Sequence, residues 1–190
     1  MLIIVGLGNP GKKFQKTRHN VGFVIVNEFS KKNEFPNWKK SKKINCFYTK
    51  KSIFNKEIEL VKPLTYMNNS GEAIKYIVKK HNLKPEDIIV VHDDLDLPLE
   101  KIKIIKNRSS AGHKGVQSII DKLGTKNFVR LRVGIKAVTE NNKQGIKDFV
   151  LQKFNKKEET VLKGVIKRAC QVVEAILKEG VEKAMNKFNC

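Results

Sequence analysis

A single histidine, His19, follows the first strand-like segment of the chain and is the leading candidate for acid–base chemistry. Residues 2–7 are largely apolar, and residues 8–11 form a Gly/Pro turn directly after them. Ligand sites of open α/β proteins form at the carboxyl ends of strands, so a site is expected near this turn. Imidazole exchanges a proton near neutral pH, which makes His19 a candidate general base. A lone histidine is also commonly a plain surface residue, so the choice depends on which other segments converge on it.

Carboxylates follow a second apolar segment. Residues 88–92 predict a strand buried on both faces, and Asp93, Asp94 and Asp96 come directly after it. Such carboxylates could bind Mg²⁺, but the chain has no second carboxylate cluster or histidine pair to complete a ligand set, so no metal is predicted. Asp93 is better suited to accept the ring N–H of a catalytic histidine and to stabilise its charged form. Asp94 or Asp96 is expected to cap a turn.

Two asparagines, Asn9 and Asn68, lie where predicted strands give way to turns. Asparagine is common in turns for its backbone geometry, yet its amide also offers a donor and an acceptor to a peptide carbonyl or a water. The chain has no Gly-x-Ser-x-Gly elbow and no cysteine near a plausible histidine partner. A general base would therefore activate water and not a protein nucleophile.

The glycines at positions 6, 8 and 11 match a dinucleotide-binding fingerprint by letter, and Glu28 stands near its acidic position. That motif requires its last glycine to open a helix, whereas residues 10–14 predict a turn that runs into a loop. A nicotinamide-dependent oxidoreductase is therefore the weakest of three interpretations, and no cofactor is predicted.

The chain carries a formal net charge of +20 over 190 residues, with 39 Lys and Arg against 19 Asp and Glu. This excess predicts a polyanionic partner, with nucleic acid favoured over a membrane surface. Nucleotide bias in the gene would explain why lysine is more frequent than arginine, but it would not explain why lysine is more frequent than glutamate. The three cysteines include no C-x-x-C pair, no signal peptide is visible, and no apolar run approaches the roughly 18 residues of a membrane span. We therefore expect a reducing, cytoplasmic location.

Apolar periodicity predicts an α/β fold. Alternating strands and helices favour one domain over residues 1–190, a three-layer sandwich with a mixed, twisted β-sheet flanked by helices on both faces. The sheet is expected to be mixed because residues 44–62 are typical of a hairpin with Asn55 in its turn. Strands are predicted at 2–7, 44–50, 57–62, 88–92, 101–105 and 128–135, and helices at 20–31, 71–82, 115–123 and 156–188.

Five motifs in a fixed order resemble the bacterial peptidyl-tRNA hydrolase family, and the resemblance covers nearly the whole chain. They are VGLGNPG at 5–11, FxxTRHNxG at 14–22, PLTYMNxSG at 63–71, HDDLDLP at 92–98 and RLRVGI at 130–135. The resemblance implies hydrolysis of the ester bond between a peptide and the 3′ end of tRNA, which frees the tRNA for reuse. It also implies a monomer that needs no metal or cofactor.

The resemblance assigns roles to individual residues. His19 would be the general base that activates water, Asp93 would orient it, Asn68 would position the water or the substrate, and Asn9 would bind the peptide backbone. The implied substrate and tRNA contacts are Phe14, Tyr66, Met67, Asn68, His113, Lys114, Lys103, Lys106 and Arg130, with Lys101, Arg108 and Arg132 as further phosphate candidates.

The loop at 107–115 departs from the family pattern. Lys114 stands where the family has asparagine, so the position keeps a donor, loses an acceptor and gains a charge. Asn107 and Arg108 replace glycines, which should stiffen the loop. These changes leave room for a second interpretation, an RNA-binding module with a relic site on the same fold. The presence of His19 and Asp93 together with both asparagines favours an active enzyme.

Overall fold

Seven strands form one mixed sheet in the computed structural model, which describes residues 1–136 and 145–189. The strand order across the sheet is β2-β3-β4-β1-β5-β7-β6. β1, β4, β5 and β7 run parallel, whereas β2–β3, β3–β4 and β6–β7 pair antiparallel, so the predicted mixed sheet is confirmed. The strands are β1 (Leu2–Gly6), β2 (Lys39–Ser41), β3 (Cys46–Ile53), β4 (Lys56–Pro63), β5 (Ile88–Pro98), β6 (Ile102–Lys106) and β7 (Val129–Lys136).

Helices cover both faces of the sheet, as predicted. They are α1 (Val21–Lys32), α2 (Ser70–His81), α3 (Lys114–Leu123), α4 (Ile146–Leu151), α5 (Lys156–Glu179) and α6 (Val181–Phe188). Strand β1 shows how the layers arise, because successive side chains of a strand point to opposite faces. Ile3 and Val5 pack into the core beneath α2 and α3, whereas Ile4 packs into the core beneath α1, α5 and α6.

Most predicted elements are confirmed to within a few residues, and two predictions are wrong. Strand β5 continues past residue 92 to Pro98, because Asp93 and Asp94 still pair with β7. The predicted helix over 156–188 is two helices, divided at Gly180, whose φ of 91° is incompatible with a continuing helix. The short elements β2 and α4 were not predicted. Cys190 lies outside the described residues.

The last described residue, Asn189, contacts the edge strand β6. Its side-chain Oδ1 accepts a hydrogen bond from the backbone N–H of Ile104 at 2.7 Å, and its Nδ2 donates to the carbonyl oxygen of the same residue at 2.8 Å. The amide of Asn189 therefore occupies both free backbone groups of Ile104. No helix among residues 1–136 and 145–189 is long and apolar enough to cross a membrane.

Two glycines test how tightly the helices pack. At Gly71, where α2 begins against α3, a methyl group would overlap the carbonyl oxygen of Ser118, whereas at Gly164 in α5 it would meet nothing within 4 Å. We expect Gly71→Ala to lower the free energy of unfolding by about 1–3 kcal/mol through overpacking. Gly164→Ala should raise it by about 0.5–1 kcal/mol, because glycine is unfavourable inside a helix. Urea denaturation of both variants checks this, and equal effects would refute the close approach of α2 and α3.

Candidate active site

A cavity of about 550 Å³ opens where the parallel strands β1, β4 and β5 end. The turn after β1 supplies Asn9, the connection after β4 supplies Asn68, and the far part of β5 supplies Asp93. Since carboxyl ends of parallel strands meet at one edge of a sheet, residues far apart in the chain converge here. The turn after β1 leads into a 3₁₀ turn at Lys12–Phe14 and not into an α-helix, so the dinucleotide fingerprint lacks its structural context.

His19 and Asp93 form a close pair, as predicted. The Nδ1 of His19 lies 2.8 Å and 2.9 Å from the two carboxylate oxygens of Asp93. An ionised carboxylate can only accept, so Nδ1 carries the proton and Nε2 holds the free lone pair. The side chain of His19 is 13% exposed and lines the cavity, and no described residue hydrogen-bonds to its Nε2. Nε2 is therefore available to accept a proton from a bound water.

A second histidine, His113, shares the same carboxylate. Its Nε2 lies 2.9 Å from Oδ1 of Asp93 and must donate, while its Nδ1 accepts the backbone N–H of Val116 at 3.2 Å. Both ring nitrogens of His113 are thus occupied by hydrogen bonds. Of the two histidines that face Asp93, only His19 has a nitrogen left for a water.

Asp93 remains ionised in this arrangement. Burial alone would raise its pKa, but the proximity of the His113 and His19 rings, and the hydrogen bonds that both rings donate, hold the pKa of Asp93 well below its usual value. Its neighbour His92 is fully buried, and its Nδ1 lies 2.7 Å from the carbonyl oxygen of Asp93. Burial, followed by the proximity of His113, keeps the pKa of His92 well below that of an ordinary histidine. His92 is therefore a neutral support beneath the site.

Asn9 is fixed by contacts from two elements. Its backbone N–H donates to Oδ1 of Asn20 at 2.9 Å, and its carbonyl oxygen accepts from Nδ2 of the same residue at 2.9 Å. Its side-chain Oδ1 accepts the backbone N–H of Met67 at 2.8 Å. The oxygen of the Asn9 amide is thus occupied, which leaves its NH₂ group as the donor that can face the cavity.

The connection between β4 and α2 forms one wall of the cavity. Asn68 is exposed and Met67 is buried, and both line the cavity with Tyr66, whose side chain is 57% exposed. Phe14 does not line the cavity but packs edge to face against Tyr66, with ring centroids 6.4 Å apart. The aromatic pair therefore forms the outer rim, with Phe14 supporting Tyr66.

The predicted tRNA contacts differ in their exposure. Lys114, the first residue of α3, is exposed and lines the cavity, and Lys103 and Lys106 are exposed on the edge strand β6. Arg130 corrects the prediction, because it is only 1% exposed and donates from Nη2 to the carbonyl oxygen of Arg108 at 2.6 Å. A buried guanidinium that holds the 107–113 loop from inside cannot reach a phosphate.

Asp94 and Ser110, two further polar residues that line the cavity, are both occupied by contacts within the protein. Asp94 pairs with Nε of Arg132, and its other oxygen accepts the N–H of Asp96 at 2.9 Å, which confirms the predicted turn cap. The hydroxyl of Ser110 donates to Gln117 at 2.7 Å and not to a histidine. Cys46 and Cys170 are buried in the core, and burial raises the pKa of each thiol to about 12. None of these groups is an activated nucleophile.

His19, Asp93 and His113 are also the described residues that could together hold a metal ion, with ligand atoms within 4.8 Å of one another. The nitrogen–oxygen distances of 2.8–2.9 Å are those of hydrogen bonds, and two N–H donors already occupy the carboxylate.

We expect dialysis against a chelator such as EDTA to leave the catalytic rate unchanged, because the hydrogen-bonded pair of His19 and Asp93 can accept a proton from water without a metal ion. Added Zn²⁺ should inhibit, because it would displace the protons that link His19 and His113 to Asp93. Rates measured before and after dialysis check this, and loss of activity that returns with one divalent cation would contradict it.

Two features of the site were missed from the sequence. Ile146, Val150 and Leu151 of α4 line the cavity, in a segment for which no element was predicted. Arg18, next to His19, forms a buried two-pronged ion pair with Glu158 of α5 at 2.9 and 3.0 Å. The start of α5 was predicted, and the Asn155–Glu158 capping box marks it, but nothing local indicates the pairing of Glu158 with Arg18.

A buried aspartate and an oriented histidine at an open cavity, at the carboxyl ends of parallel strands, are an arrangement that suits a hydrolytic enzyme. The sequence model of the peptidyl-tRNA hydrolase family matches residues 3–190. The chain belongs to the peptidyl-tRNA hydrolase family.

Relatives match over the full length of the chain. The peptidyl-tRNA hydrolase of Thermodesulfovibrio yellowstonii is 48% identical and that of Fervidobacterium nodosum is 46% identical, with coverage of 99–100% of this chain and 96–99% of those proteins. The crystal structure of peptidyl-tRNA hydrolase from Acinetobacter baumannii superposes with a TM-score of 0.91 at 32% identity, covering all of this chain and 95% of that one.

Proposed function

We infer that this protein hydrolyses the ester bond between a peptide and tRNA, and so releases free tRNA for translation. The observation that carries this is the free Nε2 of His19, which faces the cavity while Nδ1 is held by Asp93. Membership of the peptidyl-tRNA hydrolase family supplies the substrate class. The alternative of a relic RNA-binding module is not favoured. The relatives of this chain are peptidyl-tRNA hydrolases, and His19 and Asp93 are arranged for proton transfer.

The reaction follows from the direction of the hydrogen bonds. Nε2 of His19 takes a proton from water while the water oxygen attacks the ester carbonyl carbon. Asp93 stays ionised and stabilises the imidazolium that forms, acting as a positioning residue. As the carbon–oxygen bond to the ribose breaks, the imidazolium returns its proton to the leaving ribose oxygen. The peptide leaves as a carboxylic acid that loses the second proton of the water to the solvent, and the tRNA leaves with a free hydroxyl.

Two asparagines are assigned to the substrate. The NH₂ group of Asn9 is the donor left free by its contact with Met67, and it suits a peptide carbonyl oxygen. The exposed amide of Asn68 lines the same cavity and is assigned to hold the water or the ester. Neither asparagine needs to change its charge, so both act by positioning.

The tRNA is assigned to the exposed lysines. Lys103 and Lys106 on β6 and Lys114 at the cavity carry charge that neutralises phosphates. Lys114 begins α3, where the helix dipole disfavours a cation, so its charge serves binding better than stability. We further propose that residues 1–190 act as one domain and as a monomer in the cytoplasm, without a metal or cofactor.

Hydrolysis of N-acetyl-aminoacyl-tRNA, measured as release of the N-acetyl-amino acid, tests the proposed function. The wild-type protein should cleave it, and His19→Ala should lose about 10²- to 10⁴-fold in kcat while still binding tRNA. Raising the salt concentration should weaken binding of both proteins alike, because phosphate contacts release counterions. Tight tRNA binding with no cleavage by the wild-type protein would favour the RNA-binding module instead.

A further inference from the structure

A second cavity, of about 370 Å³, shares Asn9 with the active-site cavity. This volume falls within the roughly 300–1,000 Å³ range of ligand pockets. Its walls include the aromatic side chains of Phe23 and Phe47 and the amines of Lys16 and Lys62. Phe47 of β3 and Lys62 of β4 are directly paired across the two strands, so their side chains stand side by side on one face of the sheet.

Lys62 contacts a neutral amide and two aromatic rings. Its Nζ donates to Oδ1 of Asn27 at 2.5 Å and lies 3.8 Å from the ring centre of Trp38 and 5.5 Å from that of Phe47. Within the described part of the chain, no carboxylate forms an ion pair with Lys62. Burial lowers the pKa of Lys62 to about 8, in keeping with a charge that only a neutral amide and two ring faces stabilise.

The charge around this cavity is also positive. Lys16 lies on the cavity wall, and Lys40 of β2 is paired opposite Phe47, which places Lys40, Phe47 and Lys62 in one row across three strands. Basic side chains interleaved with aromatic rings are the features that bind single-stranded nucleic acid, with phosphates on the amines and bases on the rings.

We propose that this cavity is a subsite for one nucleotide of the single-stranded 3′ end of tRNA, with a phosphate on Lys62 and the base against Phe23 and Phe47. The proposal rests on the proposed function and extends it to the part of the substrate beyond the ester. Asn9 lines both cavities, so the second cavity lies next to the site of cleavage. A fixed cation and fixed rings suit the 3′ end, which is the same in every tRNA, better than peptide side chains, which vary.

The single tryptophan of the chain makes the test direct, because Trp38 packs on Lys62 and its fluorescence reports on the cavity. The trinucleotide CCA, which is not a substrate, should change Trp38 fluorescence on binding to the wild-type protein. Lys62→Met keeps an apolar stem against Trp38 but removes the charge, and it should weaken CCA binding at least tenfold. The slope of log affinity against log salt should also flatten by about 0.7, the value for one contact to a single strand.

Two further variants separate binding from structure. Lys62→Arg keeps the charge and should restore most of the affinity for CCA. Lys178→Met makes the same chemical change at another lysine that packs on an aromatic ring, 4.4 Å from the centre of Phe54 in a different part of the surface. Lys178→Met should leave both the affinity and the salt slope at the wild-type values.

Three outcomes would overturn the subsite. They are unchanged CCA binding in Lys62→Met, an unchanged salt slope in that variant, and binding of inorganic phosphate as tight as that of CCA. The hydrolysis assay is independent of these measurements. A protein that binds CCA through Lys62 but cleaves no ester would contradict the proposed function alone, and one that cleaves normally with no effect of Lys62→Met would contradict the subsite alone.

Discussion

Replacing Asp93 with asparagine is expected to lower kcat on the order of 10³-fold, with little change in tRNA binding. The carboxylate accepts N–H groups from both His19 and His113. An asparagine offers one oxygen and one NH₂ group, so it can satisfy both rings only if one of them turns its lone pair toward the amide. If that ring is His19, its Nε2 carries the proton and can no longer accept one from water.

The measurement is single-turnover cleavage of N-acetyl-aminoacyl-tRNA, which reports chemistry apart from product release. Asp121→Asn makes the same change on the exposed face of α3 and should retain the wild-type rate. The pKa of Asp93 lies well below its usual value, so Asp93 binds no proton between pH 5 and 9. A wild-type rate in Asp93→Asn would refute the assignment of Asp93.

Breaking the buried ion pair between Arg18 and Glu158 is expected to cause a large loss of stability. Glu158→Gln should lower the free energy of unfolding by about 3–5 kcal/mol, because it leaves the guanidinium buried without its counter-charge. Arg18 is 2% exposed, and its guanidinium packs on the rings of Phe149 and Phe154 at 4.4 and 5.0 Å. Water therefore cannot compensate for the lost carboxylate.

Chemical denaturation followed by circular dichroism measures this effect. The double variant Arg18→Met/Glu158→Leu should recover much of the stability, because well-packed apolar residues can replace a buried ion pair. Glu179→Gln removes one partner of an exposed pair with Lys187, and it should cost less than about 1 kcal/mol. Similar losses in Glu158→Gln and Glu179→Gln would contradict the stabilising role of the buried pair.

The central pair could be predicted from the sequence for a physical reason. His19 follows the turn after β1, and Asp93 lies in β5, which pairs directly with β1. Neighbouring parallel strands bring such residues to one edge, so an apolar run and the polar residues after it are sufficient to predict their meeting. The hairpin of β3 and β4 was predictable because its turn is local, and Asn55 adopts the positive φ that such turns require.

Other contacts depend on packing between distant segments. Arg18 and Glu158 are 140 residues apart, and no local pattern links a 3₁₀ turn to the start of α5. Arg130 alternates with apolar residues as an exposed strand residue would, but the 107–113 loop folds over it and its guanidinium binds that loop. The sharing of the Asp93 carboxylate by His19 and His113 likewise depends on the position of the start of α3. The sequence of the glycine-poor loop before α3 does not indicate that position.

The contact between Asn189 and Ile104 bears on how the protein avoids self-association. An unpaired edge strand exposes N–H and C=O groups to which a strand of another molecule can add. On β6, the amide of Asn189 occupies the two groups of Ile104, and charged Lys103 and Lys106 flank it. The opposite edge, β2, is only three residues long and carries Lys39 and Lys40. Both ends of the sheet thus carry features that oppose the addition of a strand from another molecule, so the strongly basic chain presents charge and not open backbone at its sheet edges.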